Sequence, residues 1–418
     1  MRGEEATTNE KLPRVIETLA GLIFVTFLAV FVFQGLVDSN TWSLRDLQDY
    51  RLTYEASRIV SETHAYPPDC TYPPPSLALK LIFGAPGVVP SAFAWMGVLV
   101  GSIILSFVAL FRLRPTQDAR PTYTLCLIAL LPVVYYVQWD LRSINSNSLL
   151  LALALGSLVT ARRGQTVLAG ALLAASISWK LYSAIMLPWL LWRREFHLVI
   201  ATTAWLIVFF IALPAIVFGP LGALEITSSW LAAISKIGSG SFALNFVAYS
   251  MSLVRVALAY ATTEGSISGN PWIGLPIDQV LIAVRVIHGL WVIGVTVLIL
   301  VPRDRLKKDS RTLFDLSLLW LMVLALSPQL QPHHAVLLLV PSFVFSDRLF
   351  DRQENQAVRF VAILLMVAAP IAMKMTPSGI GRGLTLQLIL VSYAIGIAWI
   401  RFKTTSLTST KTTRALST

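Results

Sequence analysis

The chain has 418 residues, of which 56% are apolar or aromatic and 13% charged, and its mean hydropathy is +0.70. This composition excludes a soluble globular domain and fits a polytopic membrane protein. The net charge of +11 does not point to nucleic acid, because the basic residues form short clusters between apolar runs, as topogenic and lipid-facing charges do.

Residues 1–13 read as a cytoplasmic N-terminus. The first apolar run, Val15 to Val37, is too long for a signal-peptide core and lacks a small-residue cleavage site, so it is expected to stay as a span near 14–37. A polar, turn-rich outer loop follows at 38–87. Near its start stands Ser43-Leu44-Arg45-Asp46-Leu47-Gln48-Asp49-Tyr50. Ser43 and Asp46 suit the start of a short interfacial helix, with Leu44, Leu47, Leu52 and Ala56 on one side. Asp46 is therefore either a helix-start acid or a catalytic base, with Asp49 as the alternate. Toward the end of the loop, Thr71-Tyr72-Pro73-Pro74-Pro75 forces an extended, stiff segment, since each proline fixes φ and restricts its predecessor. Tyr72 could wall a sugar or lipid pocket there.

Further spans are expected near 88–112, 120–138 and 145–161. The stretch Gln165 to Trp192 is too long for one. Its 28 residues would measure about 42 Å at ~1.5 Å per residue, against a hydrocarbon core of ~30 Å. A break at Trp179-Lys180 gives two short spans and places Lys180 below the outer surface. A second polar outer stretch, 220–275, follows the span at 196–219 and contains Asn245. Spans near 276–301, 312–328, 332–347, 357–374 and 383–401 complete a set of about twelve, with both termini cytoplasmic. The split places the basic residues about two to one on the cytoplasmic side. The basic, Thr/Ser-rich segment 403–418 reads as a disordered cytoplasmic tail.

In this topology Asp46, Tyr72, Asp140, Arg142, Lys180, Asn245, His333 and His334 all fall on the outer side. Lys180, between Trp179 and Tyr182, would cost ~2.5–3.5 kcal/mol at helix-centre depth. It either snorkels to the headgroups or contacts the phosphate of a lipid-linked substrate, with Arg142 adding a bidentate contact. His333-His334 follow a break at Ser327-Pro328-Gln329-Leu330-Gln331-Pro332. Adjacent helical histidines point about 100° apart, unlike the four-residue spacing of a metal grip. One of them is a candidate phosphate or leaving-group contact. His64, His197 and His288 lie in unrelated places, Cys70 and Cys126 form no CxxC pair, and no metal site is expected.

Asp46-Leu47-Gln48-x-Tyr50 and Thr71-Tyr72-Pro73-Pro74 resemble the first outer loop of glycosyltransferase family 87. The resemblance continues through Asn145-Ser146-Asn147, Arg162-Arg163-Gly164, Ala169-Gly170 and Lys180, and ends with Ser327-Pro328 before His333-His334. Members often carry Gly-Gln-x-Asn where this chain has Ile144-Asn145-Ser146-Asn147, and a proline where it has Ser183. The resemblance implies a GT-C fold and kinship with polyprenyl-phosphate-mannose-dependent mannosyltransferases. It also implies a general base in the first outer loop, matching Asp46, and a histidine near the donor phosphate, matching His333 or His334.

The expectation is an all-α integral-membrane bundle of GT-C type, multi-pass in the plasma membrane, with its active site facing outside. It would transfer a hexose, most simply mannose, from a polyprenyl-phosphate sugar to a glycolipid or glycan acceptor with inversion. Membrane lipids and these substrates are the expected partners, with neither cofactor nor nucleic acid. The rival from another class is a transporter or lipid flippase, which calls for polar groups at the bilayer midplane and broken helices in related halves.

Overall fold

The computed structural model describes residues 16–26, 29–30, 48–67, 70–114, 122–235, 250–263, 272–300, 308–350, 355–376 and 380–415. Every regular element among them is helical. Two short helices open the chain around the first loop: α1 (Ile16–Thr26) precedes it and α2 (Gln48–Thr63) lies within it. There follow α3 (Pro74–Gly84), α4 (Val88–Leu113), α5 (Thr122–Leu130), α6 (Val134–Arg142), α7 (Asn147–Arg162), α8 (Thr166–Trp179) and α9 (Met186–Trp192). Next come α10 (Phe196–Ile207), α11 (Leu213–Phe218), α12 (Pro220–Ser235), α13 (Leu253–Ala261) and α14 (Ile277–Leu300). The last are α15 (Lys308–Leu326), α16 (Leu339–Leu349), α17 (Gln356–Met375) and α18 (Ile380–Ala415).

Among the described residues, six helical stretches are long and apolar enough to cross a membrane: Pro90–Leu113, Tyr123–Arg142, Phe196–Phe218, Ile277–Leu300, Gln356–Met375 and Gly381–Phe402. Shorter apolar helices accompany them, including α7, α8 and Leu181–Trp192. The outer helices present bare apolar faces, as with Ile207, Ile211 and Ile216, or Leu290, Ile293 and Val297. A row of exposed aliphatic side chains on one helix face is what a lipid solvent selects. The interior is the reverse. α15 and α16 are buried almost throughout, with Phe314, Trp320, Phe343 and Phe345 among the largest fully enclosed side chains.

The course of the chain at Lys180 is fixed by two close approaches. Ser176 Oγ lies 2.6 Å from Ser183 Oγ, whereas residues seven apart on one continuous helix are two turns, about 10.5 Å, apart. A Cβ added to Gly170 would come within 2.6 Å of Ala201 Cβ. Gly170 lies in the first turns of α8, and Ala201 in the first turns of α10. They can meet only if the chain doubles back between them. Lys180 takes an extended conformation (φ −149°, ψ 136°), and a 3₁₀ turn, Leu181–Ile185, starts the return arm. The reversal expected from the length of 165–192 is present. Gly170 is where it needs a residue without a side chain, because α8 and α10 run backbone against backbone.

Other departures from the sequence reading have local causes. Leu52 is exposed, while Tyr50, Thr53, Ala56, Ser57 and Val60 form the buried face of α2; burial follows the helical stripe, and Leu52 lies off it. α18 runs on as helix to Ala415, over the segment read as a disordered tail. No glycine or proline follows Gly396 to stop it. A π turn at Val208–Ala212 precedes Pro214, where the missing N–H and the ring's bulk disturb the ladder.

Elements of the two polar stretches, 38–87 and 220–275, pack together over one end of the bundle. Ala56 and Val60 of α2, Leu77 and Ala78 of α3, Phe218 of α11, Ile226 of α12 and the loop residue Cys70 share one small apolar core. Pro73 is extended and Pro74 opens α3, the first-turn position where a missing N–H costs nothing. The proline string therefore both stiffens the loop and starts a helix. Single cysteines at Leu181 and Arg194, both exposed positions, should react with an impermeant thiol reagent from opposite faces of the membrane. A cysteine at Arg163 should react from the same face as Arg194. The native thiols are buried, and burial pushes the Cys70 thiol up, so background should be low. Reaction at 181 and 194 from one face would show that the reversal does not return across the bilayer.

Candidate active site

The reversal at Lys180 meets two other chain breaks at the same end of the bundle: Ser143–Ser146 between α6 and α7, and Ser327–Gln331 after α15. Buried polar side chains gather where the three converge. Lys180 is 9% exposed. Its ammonium donates to Asn145 Oδ1 at 2.6 Å and to Asn147 Oδ1 at 3.0 Å. Tyr72 and Tyr182 flank it, with ring centroids 5.4 and 6.0 Å from Nζ. The amide geometry is set by that ammonium. With its oxygen toward Lys180, Asn145 turns Nδ2 to His333 Nε2 at 3.0 Å. The His333 ring must then accept at Nε2, which puts its proton on Nδ1 when neutral.

Asn147 is the relay of the cluster. Its oxygen takes Lys180, and its Nδ2 donates to Asp140 Oδ1 at 2.9 Å and toward the His333 carbonyl at 3.2 Å. Asp140 is fully buried and is satisfied by four donors. Asn147 N and Nδ2 reach Oδ1, and Ser148 N and Oγ reach Oδ2. These backbone donors are orphan N–H groups of the first turn of α7, so Asp140 caps that helix from α6 while its charge faces the helix dipole's positive end. One amide thus joins a buried cation to a buried anion.

The two histidines have separate tasks. His334 Nδ1 accepts from Gln331 N at 3.1 Å, while the Gln331 side chain takes the His334 backbone N–H, a reciprocal cap for the 3₁₀ helix Pro332–Leu338. Tyr182 Oη lies 3.4 Å from His334 Nδ1 and 3.3 Å from Ser327 Oγ. His334 is bound into the break, and His333 faces Asn145 and the lysine.

Of the residues singled out in the sequence, Tyr72, Lys180 and His333 come together, and His334 stands directly behind. Arg142 is exposed at the end of α6; Asp140, half a turn earlier, carries the buried charge instead. Asp46 and Asn245 lie outside the described residues, as does the side chain of Asp49. Sequence reasoning gave no site role to Asn145, Asn147 or Asp140. Their signal was a polar run, Asp140 to Ser148, between two apolar helices, with Asn and Ser at a helix start. It also passed over Lys80. This lysine is 4% exposed and its ammonium lies 4.0, 4.8 and 6.0 Å from the rings of Tyr50, Trp95 and Trp179. Trp95 and Trp179 stack at 4.9 Å. A lone lysine within Leu77-Ala78-Leu79-Lys80-Leu81 was the visible clue.

Comparison with known protein families gives a match. The model for "Glycosyltransferase family 87" covers residues 71–328, more than half of the chain. It begins at Thr71 before Tyr72, takes in Asp140, Asn145, Asn147 and Lys180, and ends at Pro328, so Asp46, His333 and His334 lie beyond its limits. Neither the curated proteins nor the solved structures yield a match. Asp140→Ala should leave the α7 donors unsatisfied and the Lys180 charge uncompensated. It should cost about 1–3 kcal/mol or more, seen as a lower Tm in detergent. Arg142→Ala should leave Tm near that of the parent, and equal Tm values for the two variants would deny Asp140 its capping role.

Proposed function

The chain belongs to glycosyltransferase family 87, and from that premise we propose that it moves a hexose, mannose, from a polyprenyl-phosphate donor to a glycolipid or glycan acceptor. The observation that carries the donor class is the Lys180 cluster. A cation held rigidly at a reversal between two apolar arms is suited to a phosphate whose lipid tail stays in the bilayer. Lys180 supplies a fixed charge, Asn145 and Asn147 hold it in place, and His333 stands beside them. Such pre-set charge stabilises a departing phosphate without having to reorganise during the reaction. The tyrosine rings supply the apolar walls against which sugars and isoprenoid chains pack.

The chemistry is a single displacement. An acceptor hydroxyl oxygen forms the new bond to the anomeric carbon as that carbon's bond to the phosphate oxygen breaks. Polyprenyl phosphate leaves with the electron pair, and the hydroxyl proton passes to Asp46. Attack opposite the leaving group inverts the anomeric centre. The support for Asp46 is its place in the chain. It precedes Tyr50 by four residues, and Tyr50 is anchored at the site end of the bundle by a 2.7 Å bond to Ser91 Oγ and by its contact with Lys80. A carboxylate there needs no unusual basicity, because the acceptor proton moves late, as the phosphate departs.

The outward orientation of this end is supported by the charges at the other. Arg112, Arg162, Arg163, Arg193, Arg194 and Arg311 all lie at or just beyond the helix ends opposite Lys180, as cytoplasmic arginines do. Both termini would then be cytoplasmic and the protein multi-pass in the plasma membrane.

Transfer by purified protein should be followed with radiolabelled polyprenyl-phosphate-mannose and a membrane lipid extract. No labelled product from that donor, with product from a different lipid-linked sugar, would replace mannose. Asp46→Asn should lower turnover by at least ~10²-fold with Tm unchanged; parent-like turnover would exclude it as the base. Lys180→Met should weaken donor binding by about 1.5–3 kcal/mol, the worth of a charge-assisted hydrogen bond. Lys180→Arg should recover part of that loss. An unchanged donor Kd in Lys180→Met, at fixed ionic strength, would remove this residue from the phosphate site.

A further inference from the structure

A second group of basic side chains, outside the Lys180 cluster, lies on a helix that faces the bilayer. Arg285 stands eight residues after the start of α14, about 12 Å along its axis at ~1.5 Å per residue. An arginine on an apolar helix at that depth carries a cost that functional sites commonly account for. Arg285 and His288 are three residues apart, on one helix face. Together with Leu281, Val254 of α13, Leu326 and Pro328 they border a cavity of about 380 Å³. Arg285 itself is exposed, so the cavity opens on the lipid side.

The two polar groups offer complementary chemistry. The His288 ring is hydrogen-bonded to the Ala325 backbone, while its Nε2 is buried with no hydrogen-bond partner. A neutral ring that donates to a carbonyl through Nδ1 presents Nε2 as an acceptor. The pocket therefore holds a guanidinium, which suits a phosphate, and a buried acceptor, which suits a hydroxyl. Helical side chains lean toward their N-terminus, so both reach toward the end of α14 nearest the Lys180 cluster. The wall between pocket and cluster is thin. Pro328 lines the pocket, and the preceding residue, Ser327, has its hydroxyl 3.3 Å from Tyr182 Oη.

We propose that Arg285 and His288 form a second lipid site, open to the bilayer, for a phospholipid whose headgroup carries both an anionic phosphodiester and a hydroxyl. Arg285 binds the phosphate, and His288 Nε2 accepts the headgroup hydroxyl. A choline headgroup fails on both counts, lacking the hydroxyl and bringing a cation toward Arg285. The site stands apart from the Lys180 cluster and does not depend on the donor assigned there.

The test is retention of lipid by the purified full-length protein, titrated in detergent with phosphatidylglycerol, phosphatidylmethanol or phosphatidylcholine and read by native mass spectrometry. Phosphatidylglycerol should be retained about ten-fold better than phosphatidylcholine, the worth of one charge-assisted hydrogen bond. Arg285→Gln should abolish that preference and Arg285→Lys keep part of it. His288→Phe should weaken phosphatidylglycerol while leaving phosphatidylmethanol, an anionic phosphodiester without a headgroup hydroxyl, unchanged. Tm of each variant reports folding, and if Arg285→Gln does not fold, Arg285→Lys and His288→Phe still decide. Unchanged phosphatidylglycerol retention in Arg285→Gln would reduce Arg285 to a snorkelling side chain and overturn the proposal. Equal loss of phosphatidylmethanol and phosphatidylglycerol in His288→Phe would overturn the hydroxyl contact.

Discussion

An ammonium taken out of water into an apolar bundle is tolerated only where fixed dipoles and a counter-charge replace its hydration. At Lys180 these are the carbonyl oxygens of Asn145 and Asn147, with Asp140 one amide further on. Much of the surrounding structure follows from that requirement. The chain must turn between α6 and α7 to present both asparagines, and α7 must begin there so that its first-turn N–H groups hold Asp140. The chain must break again after α15 to bring His333 against Asn145. A network in which each member fixes another's orientation is costly to leave partly made, and when complete it rigidifies what it joins. Rigidity of that kind is what the proposed role toward a leaving phosphate requires.

The opposite end of the bundle uses ion pairs differently. Arg114 pairs with Asp347 at 2.8 Å, and Asp315 pairs with Arg401 at 3.3 Å and Arg311 at 3.7 Å while accepting from Trp189 Nε1 at 3.3 Å. These contacts tie α4 to α16, and α9 and α18 to α15. Buried pairs of this kind give little net stability over apolar packing, but each fixes which helices meet and at what height. With charge concentrated at both ends and aliphatic side chains between, the bundle's depth in a membrane is largely set by its polar groups.

Above the site, α2, α3 and α12 form a small cap whose own core is independent of the main one. Tyr72 descends from the cap to Lys180, and the Trp230 indole holds the Thr71 carbonyl at 3.3 Å. The prolines after Tyr72 leave this segment few alternatives, so the ring's placement costs little entropy on ordering. Lys80, in its aromatic surround of Tyr50, Trp95 and Trp179, joins the cap to the bundle next to Lys180. Lys80 and Lys180 thus place two cations at this end of the molecule.

Sequence alone determined what depends on local composition and length. Apolar runs marked the helices, because lipid leaves the backbone no other way to satisfy itself. The excess length of 165–192 foretold the reversal at Lys180, since a span cannot much exceed the bilayer. The proline string foretold a stiff approach to Tyr72. Tertiary structure decided what depends on residues meeting across the chain. His333 and His334 are adjacent and chemically identical, and only the positions of Asn145 and Gln331 give one to the lysine cluster and the other to a helix cap. Arg142 and Asp140 differ by two residues, yet helical rotation turns one outward and buries the other. Asn145 and Asn147 stand in the sequence as part of a family motif, and their task shows only when Lys180, 33 residues after Asn147, is brought against them. A buried charge reveals its role only through its partners, and no local pattern specifies a partner that distant.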